Sequence, residues 1–168
     1  MRNLIAATAA SLLCLTAAPA LAQNISDADA NTLLGKLSTP AADLCADSDQ
    51  AKLREPAEHL NACQTALTEL AAARKRHSKA TPGQLQVYDF MESALQMGTT
   101  FAMLRADGKP TSRVCANIES QWELANRTNT ALVGPTMGGA LKSTKDLVQP
   151  LVKMCREQFP DQAGTIPA

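Results

Sequence analysis

Apolar residues in this chain recur at intervals of three and four, which is the spacing of one face of an α-helix. Between residues 53 and 70 they form one such stripe, made of Leu53, Leu60, Cys63, Leu67 and Leu70. Beyond residue 22, no stretch alternates apolar and polar residues for long enough to predict a sheet. The pattern therefore predicts an all-α fold.

Start and stop signals place the first two helices. Ser26, with Asp29 three residues later, is typical of an N-cap, and the first helix should end near Leu37, before a Ser-Thr-Pro sequence. The second helix should begin at Asp49 or at Pro56 and end in a run of basic residues.

The third helix has the clearest boundaries in the sequence. Thr81 as N-cap, Pro82 at the first helical position and Gln84 at the third predict its start, and an Asp-Gly sequence after Ala106 predicts its end. Two adjacent apolar stripes run along it. We therefore expect it to be the most buried helix, with neighbours on two sides.

A fourth helix should begin at Ser112 and end at Gly134. Its core-facing seam contains one amide, Asn129, which we interpret as a buried polar residue that fixes the helix register, with a ligand contact as the alternative. The other seam positions are Cys115, Ile118, Trp122, Ala125 and Leu132.

A flexible loop around Gly138 and Gly139 should separate the fourth helix from a fifth, which begins at Ser143 and is kinked or restarted at Pro150. Helices with connections of this length usually pack antiparallel. The expected architecture is a small antiparallel bundle of four to five helices.

Residues 1–22 have the features of a cleaved signal peptide. Arg2 precedes an apolar stretch over residues 4–18, and Ala20-Leu21-Ala22 matches an A-x-A cleavage site. We expect a single helical domain over residues 23–168, periplasmic or secreted. Cys14 leaves a lipoprotein as the alternative, although no small residue directly precedes it. No segment has the roughly 20 apolar residues of a spanning helix, so we expect no membrane span.

Cleavage would leave an even number of cysteines in an oxidising compartment: Cys45, Cys63, Cys115 and Cys155. We expect two disulfides. Spacing alone allows three pairings, and the antiparallel helix order favours Cys45 with Cys63 and Cys115 with Cys155. The C-x-x-C pairs typical of a zinc site do not occur, so we expect no metal site and no cofactor.

Charge argues against nucleic acid as the partner. The chain has 16 basic and 16 acidic side chains, whereas nucleic-acid-binding domains usually carry a basic excess. The one concentration of charge is the basic run Arg74, Lys75, Arg76 and Lys79, at the end of the second helix. These cations complement the helix dipole, and a surface for an acidic partner is the second interpretation.

Two further features suggest chemistry. His59 precedes Cys63 by one helical turn, a spacing that suits a metal-ligand pair or a thiolate–imidazole nucleophile. We favour a surface histidine beside a disulfide. An apolar ligand could be held between helices near Met97, Phe101 and Trp122.

The sequence contains no catalytic or cofactor motif that survives comparison with a structural explanation. We therefore expect a non-enzymatic exported protein that binds another macromolecule, such as an immunity protein, an inhibitor or a chaperone-like accessory protein. Its partner would be a protein of the cell envelope or an exported toxin. A small-molecule carrier is the alternative, and a hydrolase with dispersed residues comes third.

Overall fold

The computed structural model describes residues 24–46, 49 and 53–160. The predicted signal peptide and its cleavage site lie outside these residues. Within them the chain forms α-helices and one short 3₁₀ helix but no strand, which confirms the all-α prediction. None of these helices combines the length and the apolarity needed to cross a membrane.

The described part of the chain contains six α-helices. They are α1 (Asp27–Leu37), α2 (Pro40–Ala46), α3 (Pro56–Arg76), α4 (Pro82–Asp107), α5 (Ser112–Asn126) and α6 (Pro135–Gln158), with the 3₁₀ helix at Thr130–Leu132 before α6.

The capping signals for α1 and α4 are confirmed. The Ser26 hydroxyl accepts the Asp29 N–H at 3.1 Å. Thr81 and Gln84 form a reciprocal capping box, in which each side chain accepts the other's backbone N–H. Gly108 ends α4 in the left-handed conformation, with φ of 66°.

Helix α2 is an element that we did not predict from the sequence. It starts as α4 does, with a threonine before a proline at the first helical position. The Thr39 hydroxyl accepts the Ala42 N–H at 3.2 Å. The Ser-Thr-Pro sequence thus ends one helix and starts the next.

The predicted boundary between the last two helices was wrong. Helix α5 ends at Asn126, and Asn129 is an exposed cap of the 3₁₀ helix, where its side chain accepts the Ala131 N–H at 3.1 Å. It is therefore not the buried seam residue that we expected. Gly138 and Gly139 lie inside α6, which continues through Pro150.

Both predicted disulfides are confirmed. Cys45 pairs with Cys63, with 4.7 Å between α-carbons, and Cys115 pairs with Cys155, at 5.4 Å. The first links α2 to α3 and the second links α5 to α6. Each disulfide lies within its own cluster of buried apolar side chains.

Helix α4 lies at the centre of the bundle and contacts α1, α2, α3 and α5. This agrees with its two apolar stripes, although its contact with α5 also includes buried polar side chains. There the Thr100 hydroxyl accepts hydrogen bonds from the side-chain amides of Asn117, at 2.7 Å, and Gln121, at 2.6 Å.

Candidate binding groove

An open groove separates α1 from the C-terminal half of α3. Helix α1 packs against α4 and α6 but makes no extensive contact with α3. The space between them measures about 820 Å³ and is bounded by α1, the end of α3 and the start of α4. It is larger than the cavities of about 510, 300 and 340 Å³ elsewhere among the described residues.

The floor of the groove is apolar. Leu33 and Leu37 of α1 line it on one side, Ala73 of α3 on the other, and Tyr88 of α4 beneath them. The Tyr88 ring is buried, and its hydroxyl lies 3.2 Å from Nδ1 of His77. The tyrosine therefore presents its ring to the groove while its polar atom has a partner.

The rim of the groove carries two exposed cations, Lys36 from α1 and Arg76 from α3. Neither forms an ion pair with another described residue. The acidic residue on the same rim, Asp29, accepts a hydrogen bond from the Ser26 hydroxyl at 2.7 Å. With two cations against one carboxylate, the side chains that line this groove carry a net positive formal charge.

A second depression of about 300 Å³ extends the groove along α3. It shares Lys36, Leu37, Ala73 and Arg76 with the first. Its acidic residue, Glu69, accepts the Thr39 hydroxyl at 2.7 Å. Both depressions thus combine aliphatic side chains with the same two cations.

The four residues of the basic run have different surroundings in the structure. Only Arg76 lines the groove, and Lys75 and Lys79 are exposed outside it. Arg74 turns toward α4, where its guanidinium lies 2.8 Å from Asp89 and 3.3 Å from Glu92. Arg74 therefore links two helices, and one of the four residues remains a contact candidate at the groove itself.

The residues proposed to hold an apolar ligand do not all line one cavity. Met97 and Phe101 line a cavity of about 340 Å³ beside Cys45 and His59. Trp122 does not line that cavity; like Met97 it packs against the apolar cluster between α5 and α6, with the Lys145 ammonium 5.5 Å from its ring centroid. Asn129 lies apart from both, as an exposed cap.

His59 is buried, so our expectation of a surface histidine was wrong. Its side chain is 1% exposed, and Nε2 lies 3.0 Å from the carbonyl oxygen of Cys45. Phe101 meets its ring edge-on, with 6.3 Å between centroids. Helix α2, held by the disulfide, covers this turn of α3, and α2 was the helix missing from our prediction.

The sequence analysis did not predict the groove, because it gave no packing or binding role to the leucines of α1. The available signal was the leucine content of α1, since Leu33, Leu34 and Leu37 occupy more than one face of a short helix. Such a helix must contact neighbours on two sides or leave apolar surface exposed.

Comparison with models of protein families, with curated proteins and with solved structures finds no significant match to this chain.

Proposed function

We propose that this chain is an exported, non-enzymatic protein that binds another protein, and that the groove between α1 and α3 receives an acidic, amphipathic segment of it. The observation that carries the proposal is an open groove with an apolar floor and, on its rim, two cations that form no ion pair with another described residue. A helix with leucine-like residues on one face and carboxylates beside them would match both features.

The two parts of the groove would have different roles. Contact of a partner's apolar face with the half-buried Leu33 would supply hydrophobic affinity, while Leu37 and Tyr88, already buried, give the floor its apolar shape. Lys36 and Arg76 on the rim would select an acidic segment and speed its association, as rim charges generally do.

The compartment limits the class of partner. Two disulfides fit an oxidising environment, and the N-terminal sequence has the features of an export signal. A partner there would be a protein of the cell envelope or an exported toxin. An immunity protein, an inhibitor or a chaperone-like accessory protein would each use such a groove.

The test uses a synthetic amphipathic helix with glutamates flanking a leucine stripe, and a second peptide with lysine at every glutamate position. Binding is followed by NMR of the leucine methyl groups of the purified chain. We expect the acidic peptide to shift Leu33 and Leu37 and the basic peptide to bind more weakly. Replacing Lys36 and Arg76 by glutamate should weaken the acidic complex about tenfold.

The matched control replaces Lys75 and Lys79 by glutamate, because this makes the same change in net charge at exposed positions outside the groove. It should have a clearly smaller effect. Equal losses in the two double variants, or methyl shifts away from α1, would show that the groove is not the binding site.

The cavity lined by Met97 and Phe101 favours a second function, the carriage of a small apolar molecule. Its volume of about 340 Å³ falls in the range of small-ligand sites. Native mass spectrometry of the protein from its source distinguishes the two functions. A retained small molecule supports the carrier, and a retained protein supports the groove.

A further inference from the structure

Three potential metal ligands meet where α2 packs on α3. The sulfur atoms of Cys45 and Cys63 and a ring nitrogen of His59 all lie within 4.8 Å of one another, and all three side chains are buried. Sulfur and imidazole nitrogen in such a group form a donor set that zinc prefers. This is the one such cluster found among the described residues.

The hydrogen bonding of His59 leaves one ring nitrogen free to act as a ligand. A carbonyl oxygen only accepts hydrogen bonds, so Nε2 donates to the Cys45 carbonyl at 3.0 Å. In the neutral ring Nδ1 then carries the lone pair, and this buried atom has no hydrogen-bond partner in the described structure. Histidines that ligate metals usually donate their other N–H to a carbonyl or carboxylate in this way.

We propose that, when the Cys45–Cys63 disulfide is reduced, the two thiolates and His59 bind a zinc ion. Two thiolates and a neutral imidazole balance the charge of Zn²⁺, which matters because the site lies among buried apolar side chains. Cys45 and His59 also line the cavity of about 340 Å³. That space gives the ion a route to the site and room for a fourth ligand.

The reductant would be a dithiol protein that acts by thiol–disulfide exchange. One of its thiolates attacks the disulfide to form a mixed disulfide, and its second thiol resolves this, so that the reductant is oxidised and the chain gains two electrons and two protons. Zinc binding then releases the two thiol protons. Before zinc binds, the Leu95 carbonyl, 3.4 Å from the sulfur of Cys45, can accept its S–H.

The second disulfide provides an internal control. Cys115 and Cys155 are equally buried, but they lie in an apolar cluster and belong to no group of three potential ligands among the described residues. Reduction of both disulfides should therefore create one zinc site and not two.

The experiment measures zinc bound to the purified chain before and after reduction with a phosphine, by competition with a chromophoric chelator under anaerobic conditions. We expect one zinc per reduced chain and none per oxidised chain. Cobalt in place of zinc should give thiolate-to-metal charge-transfer absorption. His59→Asn should weaken zinc binding at least about tenfold, and His77→Asn should not. A parallel titration with Cu⁺ shows whether the soft monovalent ion binds more tightly.

A variant with Cys115 and Cys155 replaced by serine tests whether these two cysteines contribute to zinc binding. We expect it still to bind one zinc after reduction. If the reduced chain loses helical circular dichroism, recovery of the signal on zinc addition supports the site. The proposal is overturned if the reduced chain binds no zinc, if His59→Asn binds as tightly as the wild type, if zinc binding requires Cys115 and Cys155, or if only Cu⁺ binds.

Discussion

The carboxylate of Asp27 accepts the backbone N–H of Met137 at 3.1 Å, across a separation of 110 positions in the chain. Its other oxygen accepts the N–H of Thr136, also at 3.1 Å. Asp27 is the first residue of α1. Through these two hydrogen bonds its side chain caps the start of α6. Gly134 permits this approach, since a β-carbon there would lie 2.5 Å from the carboxyl carbon of Asp27.

This cap predicts acid sensitivity. The hydrogen bonds from Met137 and then Thr136 hold the pKa of Asp27 below its usual value, because they favour the ionised carboxyl group. A carboxyl with a lowered pKa stabilises the fold above the unfolded-state pKa of about 4 and loses that contribution as the pH falls through the folded-state value. Stability should therefore fall faster with acid than in a variant that lacks this charge.

The matched variant is Asp27→Asn, because asparagine also caps helices but does not titrate. Urea midpoints of both proteins, measured from neutral pH to about pH 3, should differ most at neutral pH and converge in acid. Parallel curves would show that the Asp27 charge contributes nothing to the pH dependence.

The second prediction concerns Gly98 in α4. A β-carbon there would lie 2.7 Å from the sulfur of Cys45 and closer still to its carbonyl oxygen, so α2 and α4 would have to separate. We expect Gly98→Ala to lower the free energy of unfolding by about 1 to 3 kcal/mol. Gly139→Ala is the control, because no atom lies within 4 Å of its added β-carbon. It should stabilise α6 by roughly 0.5 to 1 kcal/mol. If denaturant unfolding shows that both substitutions change the free energy of unfolding in the same direction, the close approach of Gly98 to Cys45 is contradicted.

Local signals account for the parts of the fold that the sequence predicted. Ser26 and Thr81 start α1 and α4 through hydrogen bonds to residues three positions away, and Gly108 ends α4 by its backbone conformation. The disulfide pairing followed from the order of the helices. Each of these inferences depended on neighbours in sequence or on a simple antiparallel arrangement.

The parts that the sequence did not predict depend on distant contacts. Helix α6 starts at Pro135 where Asp27 caps it, and nothing near Gly138 reveals that partner. Asn129 lies outside the α-helices, and its backbone N–H donates to the side-chain oxygen of Gln86 in α4, at 2.7 Å. The groove likewise arises from a gap between α1 and α3, and a hydrophobic pattern gives no information about gaps between elements.

The third prediction separates two neighbours in the basic run. Arg74 contacts Asp89, whose side chain is only 11% exposed, whereas Lys75 is exposed and outside the groove. Arg74→Ala leaves a largely buried carboxylate without its cation and should cost about 1 to 2 kcal/mol. Lys75→Ala should change stability by less than about 0.5 kcal/mol. If chemical denaturation gives equal effects, Arg74 is a solvated cation and not a link between α3 and α4.

The last prediction concerns the polar contact between α4 and α5. Thr100→Val preserves shape but removes the oxygen that accepts from Gln121, whose side chain is fully buried. The amide would keep no partner, at a cost of about 1 to 3 kcal/mol. Thr99→Val is the control. The Thr99 hydroxyl donates only to the Leu95 carbonyl, at 2.9 Å within the same helix, so its loss leaves no side chain unpaired.

A double-mutant cycle completes this test. Adding Gln121→Leu to Thr100→Val removes the buried amide as well, and replacing both partners by apolar groups can be nearly neutral. The double variant should therefore be more stable than Thr100→Val alone, with a coupling energy of about 0.5 to 3 kcal/mol. Strictly additive changes in the free energy of unfolding would show that Thr100 and Gln121 do not interact. In that case the polar contact between α4 and α5 would depend on Asn117, whose side-chain amide also donates to the Gln96 carbonyl at 2.9 Å.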